Sequence, residues 1–293
     1  MRVGGLDVLF AGLAQQTFTD FELVLSDGLW KHRNELVALK ACAYPFRVTH
    51  IEPFSNPFPV NSFCRYANTA IARARGELAL MITDYTWLPP ESLAVHWAAY
   101  EEGKAARVGL MCPHRYVELP QLNSAFWSYK NEEIDHYVND LKNGDLESLM
   151  WSIFDKPFTG LLEDPRAMKT DPSTGADPKL TWPSGVVPPT YFHGKHESVP
   201  MQVLVDANGW DEDLDGTHGW QDAELAERLG ARGVNWRLDN TNVACIVNPR
   251  SVFPLAKRLR PYETNEPIWR AKQARGYPTP NTWSIPFERG SLE

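Results

Sequence analysis

Three carboxylates stand where a chain can do acid–base or charge-binding chemistry. Asp84 closes the apolar run "ELALMITD" and is followed by Tyr85, Thr86 and Trp87, then by two prolines. Asp27 closes the shorter run "FELVLSD" directly before Gly28. Asp222 falls in the first turn expected for the helix "DAELAERL", where the helix dipole favours the ionised carboxylate that a general base requires. Each also has a plainer role. Asp-Gly after a strand is an ordinary turn pair, Asp84 leads into a helix start at Pro89-Pro90, and an acid in a first helical turn is a common cap.

A second pattern overlaps the third carboxylate. "DEDLDGTHGWQD", Asp211 to Asp222, places Asp211, Asp213 and Asp215 at positions one, three and five of a calcium-loop template, with Gly216 at six. His218 then occupies the eighth position, where the template wants an aliphatic residue, and Asp222 replaces the usual bidentate Glu at the twelfth. Calcium-dependent stabilisation that Asp211→Ala abolishes is the mark of that alternative.

The elements that must hold these residues follow from periodicity. Leu6, Leu9, Phe10 and Leu13 recur at helical spacing within Gly5 to Gln15. A strand at "FELVLS", a helix from Lys31 to Cys42 and a strand at "FRVTHIE" come next. Asn61 or Ser62 can cap a helix carrying Phe63, Ala67, Ala70, Ile71 and Ala74, stopped at Gly76. A strand from Leu78 to Thr83, a helix from about Pro90 to Glu102 and a strand at "RVGLMC" complete the first 113 residues. Alternating strands and helices predict an α/β fold with a largely parallel, doubly wound sheet. Ligands of such sheets bind outside the carboxyl ends of the strands, so Asp27 and Asp84 are expected to share one crevice.

The middle of the chain has another texture. Residues 157–200 hold eight of the 23 prolines, together with Trp182, Tyr191, Phe192, His193 and His196; the prolines fit a disordered linker, the aromatics an ordered loop lying over a site. "VPMQVLVDANG" reads as a helix ending at Gly209, "QDAELAERLGARG" as another, and "VNWRL" and "VACIV" as late strands.

In this order the motifs resemble a family 2 glycosyltransferase of the GT-A fold. "GLDVLFAGLAQQTFTDFELVLSDG" resembles that family's first helix, turn and the strand whose terminal acid reads the nucleotide base. "RYANTAIARARGELALMITDY" resembles the lead into its DxD motif, and "ESVPMQVLVDANGWDEDLDGTHGWQDAELAERLGARG" its acceptor-side block. The resemblance covers about half the chain and departs from the family at three places. The family opens with a strand where this sequence begins at Met1 and Arg2, so either the start is truncated or another segment completes the sheet edge. The DxD position reads Asp84-Tyr85-Thr86, and Asn248 stands near where some relatives have a metal-binding histidine.

The resemblance implies transfer of a hexose or pentose from a nucleotide-sugar donor to a hydroxyl acceptor, with inversion. It implies Asp222 as the base, Asp27, Asp84, Thr86, Asn68 and Arg75 as donor contacts, and Trp220, Gln221, Trp210 and His218 as acceptor contacts. Trp182, Trp210 and Trp220 offer rings to sugar C–H faces, and His193 and His196 lie near the same loop. The usual Mn²⁺ or Mg²⁺ would rest on Asp84, but threonine is a poor ligand for these ions, so a donor site without metal is the alternative. Arg250, Lys257, Arg258 and Arg260 would then neutralise the diphosphate, since Arg matches phosphate geometry; a solvated basic face is their plainer reading, as it is for Arg65 and Arg75.

These assignments divide the chain into a donor half at 1–113, an acceptor half at 114–248 with its catalytic helix near 221–232, and a C-terminal extension at 249–293 able to cover the donor. A net charge of -8 weighs against duplex DNA as the main partner, so a glycan, lipid-linked or small-molecule hydroxyl is the expected acceptor, and an enzyme acting on modified DNA bases the lesser one. A nucleotide-sugar-binding protein that has lost catalysis is the other rival. Four scattered cysteines without a CxxC pair suggest reduced thiols and a cytoplasmic protein. No apolar run is long enough to span a membrane. An uncovered sheet edge would favour a homo-oligomer.

Overall fold

The computed structural model describes residues 4–54, 62–117, 150–152, 165–167, 169–170, 177–216, 219–247, 255–280, 282 and 285, with the backbone alone at 167 and 255–263. The chain is mixed α/β. It begins with helix α1 (Leu6–Ala14), whose apolar residues Leu6, Leu9, Phe10 and Leu13 are all buried. Strand β1 (Glu22–Ser26), helix α2 (Trp30–Ala41) and strand β2 (Arg47–Ile51) follow. Phe10 anchors this part of the core, its ring 5.0 Å from Tyr44, 5.6 Å from Phe46 and 4.9 Å from Trp151. Aromatic pairs of this kind add roughly 0.5–1.5 kcal/mol each beyond burial.

Helix α3 (Phe63–Arg73) leads to strand β3 (Leu78–Ile82). Its N-terminus is capped from a distance: the Asp215 carboxylate accepts from the Cys64 amide at 2.8 Å and the Arg65 amide at 3.1 Å. Ser62, at the N-cap position, makes no side-chain cap bond. Orphan amides need an acceptor from somewhere, and here it arrives from a loop 150 residues away. Beyond β3 come β4 (Thr86–Trp87), α4 (Ser92–Gly103), β5 (Val108–Met111) and β6 (His114–Tyr116).

The second half supplies β7 (Gly185–Val186), β8 (His196–Pro200), α5 (Met201–Asp206), α6 (Gln221–Ala231), β9 (Asn235–Leu238), β10 (Ala244–Ile246) and the long helix α7 (Leu255–Ala274). The main sheet has the order β3-β8-β5-β9-β7, a second sheet the order β4-β10-β6, and β1 and β2 form a parallel ribbon. The sheets are more mixed than the sequence suggests. β8 enters antiparallel between β3 and β5, and parallel pairing is confined to β1–β2, β5–β9 and β6–β10.

β8 also corrects the reading of 157–200 as a loop. Its sequence, "HESVP", is mostly polar, yet all five residues are buried. Burial is possible because each polar group finds a partner: His196 pairs with Ser92, Glu197 with Lys179, and Ser198 with His96. The helix expected from Val199 is therefore shorter than its apolar pattern implied, beginning only at Met201.

Among the described residues, no strand pairs with the free edge of β1 or of β3. The two edges line the same cavity, of about 770 Å³, roofed by Leu9 and Leu13 of α1, by Tyr66 and Ala70 of α3 and by Ala74 just after it. Side chains bridge its two ends. Glu22 of β1 accepts from the Arg75 amide at 2.6 Å ahead of β3, and Arg33 of α2 spans the carboxyl ends. No helix among the described residues is long and apolar enough to cross a membrane.

Candidate active site

Asp27 and Asp84 follow the carboxyl ends of β1 and β3, and Arg33 lies between them. The guanidinium donates from Nε to Asp27 Oδ2 at 2.5 Å and from Nη2 to Asp27 Oδ1 at 2.9 Å, and its Nη2 stands 3.7 Å from Asp84 Oδ2. His50 of β2 approaches Asp27 Oδ2 at 2.8 Å, and the Leu29 amide donates to Oδ1 at 2.8 Å. Burial pushes the Asp27 carboxyl up, but Arg33 and His50 hold it well below the ordinary range. Asp27 is thus a fully bonded anion, whereas the Asp84 side chain keeps 26% of its surface exposed. The expected common crevice exists, and both acids line the cavity between β1 and β3.

Asp222 lies on the other side of the same cavity wall, in the first turn of α6. Its Oδ1 is buried without a hydrogen-bond partner among the described residues and sits 2.8 Å from where a Cβ on Gly194 would lie, while Gly194 itself lines the cavity. It caps no amide among the described residues, which sets aside the plain capping role. Burial, reinforced by the charge of Glu197, raises its carboxyl to about 8 against the opposing pull of Lys195 and Lys179.

The turn facing Asp222 is built by its own charged neighbour. Glu197 accepts from the amides of His193 at 3.3 Å, Lys195 at 2.6 Å and His196 at 2.9 Å, and from Lys179 Nζ at 2.6 Å. Burial would raise this carboxyl; Lys179 and the amide bonds hold it at about 2. Asp177 caps the short turn at Pro178–Leu180 by accepting from the Lys179 amide at 3.0 Å, and also accepts from the His114 amide at 3.1 Å. Gly194 adopts a φ of +63°, which a residue with a side chain tolerates poorly. The turn thereby presents Lys195, whose Nζ donates to Tyr116 Oη at 2.8 Å. Burial depresses the Lys195 ammonium, but Tyr116, Tyr85 and Asp222 together raise it above its ordinary value.

Several residues singled out in the sequence are committed elsewhere. Thr86 is fully buried, its hydroxyl 2.7 Å from that of Thr83. Asn68 clamps the turn after α5: its Nδ2 donates to Trp210 O and Glu212 Oε1, and its Oδ1 accepts from the Trp210 amide. Arg75 precedes the amino end of β3, the opposite end from Asp84. Trp210 is fully buried against Phe63 and Phe192. Trp220 stacks on Trp269 of α7 at 4.3 Å, and Gln221 closes its own loop onto Gly219 and Leu214. His218 and Arg250 lie outside the described residues, as do the side chains of Lys257, Arg258 and Arg260.

The calcium reading fails on its ligands. Lys272 of α7 pairs with Asp211 and, at 2.9 Å, with Asp213, while Asp215 caps α3. The C-terminal helix therefore packs on the block that holds Asp222, where Asn265 also donates to Leu214 O and Gly219 O.

Asp84 alone does not make a divalent-metal site. A guanidinium already faces it and Thr86 is turned onto Thr83, so one carboxylate remains where Mg²⁺ or Mn²⁺ wants several charged oxygens. Arg33, Lys179, Lys195 and Glu197 were not picked out from the sequence. The one local signal is "HGKHE", a lysine between two histidines with a glutamate directly after, within an otherwise proline-rich stretch.

No family model matches the chain, and no curated protein does. Solved structures do. TarS from S. aureus, residues 1–349, superposes at a TM-score of 0.51 with 12% identity, over 83% of this chain and 56% of that one. The same protein in complex with UDP-GlcNAc gives 0.51 and 11%, over 85% and 57%. The mannosyltransferase PcManGT from Pyrobaculum calidifontis, in complex with GDP-Man and Mn²⁺, gives 0.52 and 14%, over 95% and 70%. The chain thus spans little more than half of the TarS chains, and its fold is the GT-A-like α/β arrangement of these structures.

Proposed function

We propose that the protein is a nucleotide-sugar-dependent glycosyltransferase of the family 2 type, inverting, with Asp222 as its base. The observation that carries the reading is the buried Oδ1 of Asp222, without a partner among the described residues and facing Gly194, which lines a cavity that Asp27 and Asp84 also line. An acid left without a partner in the interior costs free energy, and active sites are where such groups gather. Structural neighbours that bind UDP-GlcNAc and GDP-Man support a donor of that class.

In this reading the acceptor hydroxyl gives its proton to the Asp222 carboxylate as its oxygen attacks the anomeric carbon. The bond to the diphosphate oxygen breaks on the opposite face, and the nucleoside diphosphate leaves with both electrons of that bond. Lys195, on the same turn as Gly194, supplies positive charge near the developing anion. Arg33 holds Asp27 and Asp84 at the donor end, and no divalent ion is required.

The test is a thermal-shift panel of nucleoside diphosphates and nucleotide sugars, each with EDTA or Mn²⁺, followed by a turnover assay. A ligand that binds only the folded state raises the melting point by mass action. The expected result is a shift by one nucleotide class that survives EDTA, and sugar release or transfer that Asp222→Asn abolishes while donor binding persists. A shift that needs Mn²⁺ overturns the metal-free donor site. Binding without turnover selects a nucleotide-sugar-binding protein, and no response to any nucleotide overturns the reading altogether.

A further inference from the structure

The core contains a cluster to which the proposed glycosyl transfer assigns no role, although one of its members, His96, also lines the cavity between β1 and β3. His96 projects from α4, Cys112 follows β5, and His196 begins β8; one ligand atom from each falls within 4.8 Å of the others. All three side chains are essentially buried, at 1%, 0% and 0% exposure. Helix α4 packs on the adjacent, hydrogen-bonded strands β5 and β8, and the two imidazole centroids lie 5.0 Å apart.

The neighbours of this cluster are arranged as metal ligands require. His196 Nδ1 lies 3.3 Å from Pro113 O, a carbonyl that can only accept, so Nδ1 carries the proton and Nε2 the lone pair. His96 Nδ1 lies 2.8 Å from Ser198 Oγ, while its Nε2 is buried with no hydrogen-bond partner among the described residues. Asn242 Nδ2 donates to Cys112 Sγ at 3.5 Å. Ligating histidines characteristically fix their other nitrogen on an oxygen acceptor, and thiolates take N–H donors. An orphaned imidazole nitrogen in the interior is otherwise a net cost.

We propose that His96, Cys112 and His196 bind a zinc ion that fastens α4, β5 and β8 together. Two imidazoles and one thiolate suit zinc, whereas calcium and magnesium favour charged oxygens and no carboxylate belongs to this group. Binding breaks the Cys112 S–H bond and releases that proton to solvent while a Zn–S bond forms. Ser92 Oγ, 2.8 Å from His196 Nε2, gives up that hydrogen bond and is an oxygen at hand for the fourth position. Burial keeps both imidazoles unprotonated, the His196 ring at about 4 and the His96 ring well below its ordinary value. Burial also pushes the Cys112 thiol up, together with the charges of Asp239 and Glu197; those same negative charges favour a cation among the ligands. With all three ligands enclosed, the ion enters as the chain folds, so its role is structural. The proposal stands apart from glycosyl transfer.

Metal content of the full chain expressed with supplemented Zn²⁺ or Co²⁺ tests it without any activity assay. The expected result is one ion per chain and, with cobalt, a thiolate-to-metal charge-transfer band with the intense visible bands of a tetrahedral site. Cys112→Ser should remove the charge-transfer band, and His96→Gln should lower retention against a chelator by roughly tenfold or more. Cys42→Ser removes the exposed thiol and should change neither. A folded protein free of metal after such expression overturns the proposal. So does a band that survives Cys112→Ser and disappears in Cys42→Ser. Should Cys112→Ser fail to fold, the His96→Gln comparison and the wild-type metal count still decide it.

Discussion

The Asp222 carboxylate stands 2.8 Å from the place where Gly194 would carry a β-carbon. A hydrogen is all that fits between that turn and the acid. Gly194→Ala therefore meets both a steric conflict with Asp222 and Trp210 and a φ of +63°. We expect a loss of about 1–2 kcal/mol in chemical unfolding and a larger fall in kcat than in donor affinity. Turnover equal to wild type would show that the acid and the turn do not act together.

The raised carboxyl of Asp222 makes two pH predictions. A base must be ionised, so kcat/KM of the free protein should rise with pH, reach half its limit near 8 and level off above it. Stability should move the other way: the folded state holds this proton between about pH 4 and 8 and the unfolded state releases it, so the contribution of Asp222 falls as pH rises through that window. Asp222→Asn should cut turnover by about 10²–10⁴ and gain on wild type in Tm as pH increases. A Tm difference that stays flat from pH 5 to 8 would refute the assignment.

Arg33 and Asp27 form a buried ion pair with both side chains 3% exposed. Arg33→Met leaves Asp27 charged and enclosed, a change that typically costs about 3–5 kcal/mol. Because the Asp27 carboxyl is depressed, its contribution is whole at neutral pH and is lost as pH falls below about 4. Acid denaturation monitored at several pH values should show wild type and Asp27→Asn converging at low pH.

Calcium should leave the Tm unchanged, since Lys272 already neutralises Asp211 and Asp213. Lys272→Met removes the cation facing Asp211 and should destabilise by about 1–3 kcal/mol. Trp269→Ala, which removes the ring stacked on Trp220, should alter the tryptophan fluorescence of the same region. A calcium-dependent rise in Tm for wild type would restore the loop reading.

Helix α1, strand β1 and strand β3 were legible because each carries a pattern of its own: an apolar stripe at helical spacing, or an apolar run closed by an acid. β8 was not. Its residues are polar and buried, satisfied by Ser92, His96 and Lys179 from elements up to 104 residues away, and no window of sequence contains that information. The same limit applies to the site. Asp27, Asp84 and Asp222 can be singled out by position, but that Arg33 joins the first two, and that the turn shaped by Glu197 faces the third, are long-range facts. Asn68, Thr86 and Gln221 show the converse, because side chains that look available for a ligand are already spent on the fold.

The β1–β2 ribbon shares no backbone hydrogen bond with the main sheet among the described residues. It is tied across the intervening cavity by the Arg75 amide on Glu22 at one end and by Arg33 at the other. A sheet edge joined by a ladder has its spacing fixed near 4.8 Å, whereas this one is set by the reach of a guanidinium. Arg33 is therefore the gauge of the cleft: its length, and the grip of its two carboxylates, set how far apart the walls stand and how much room lies between them.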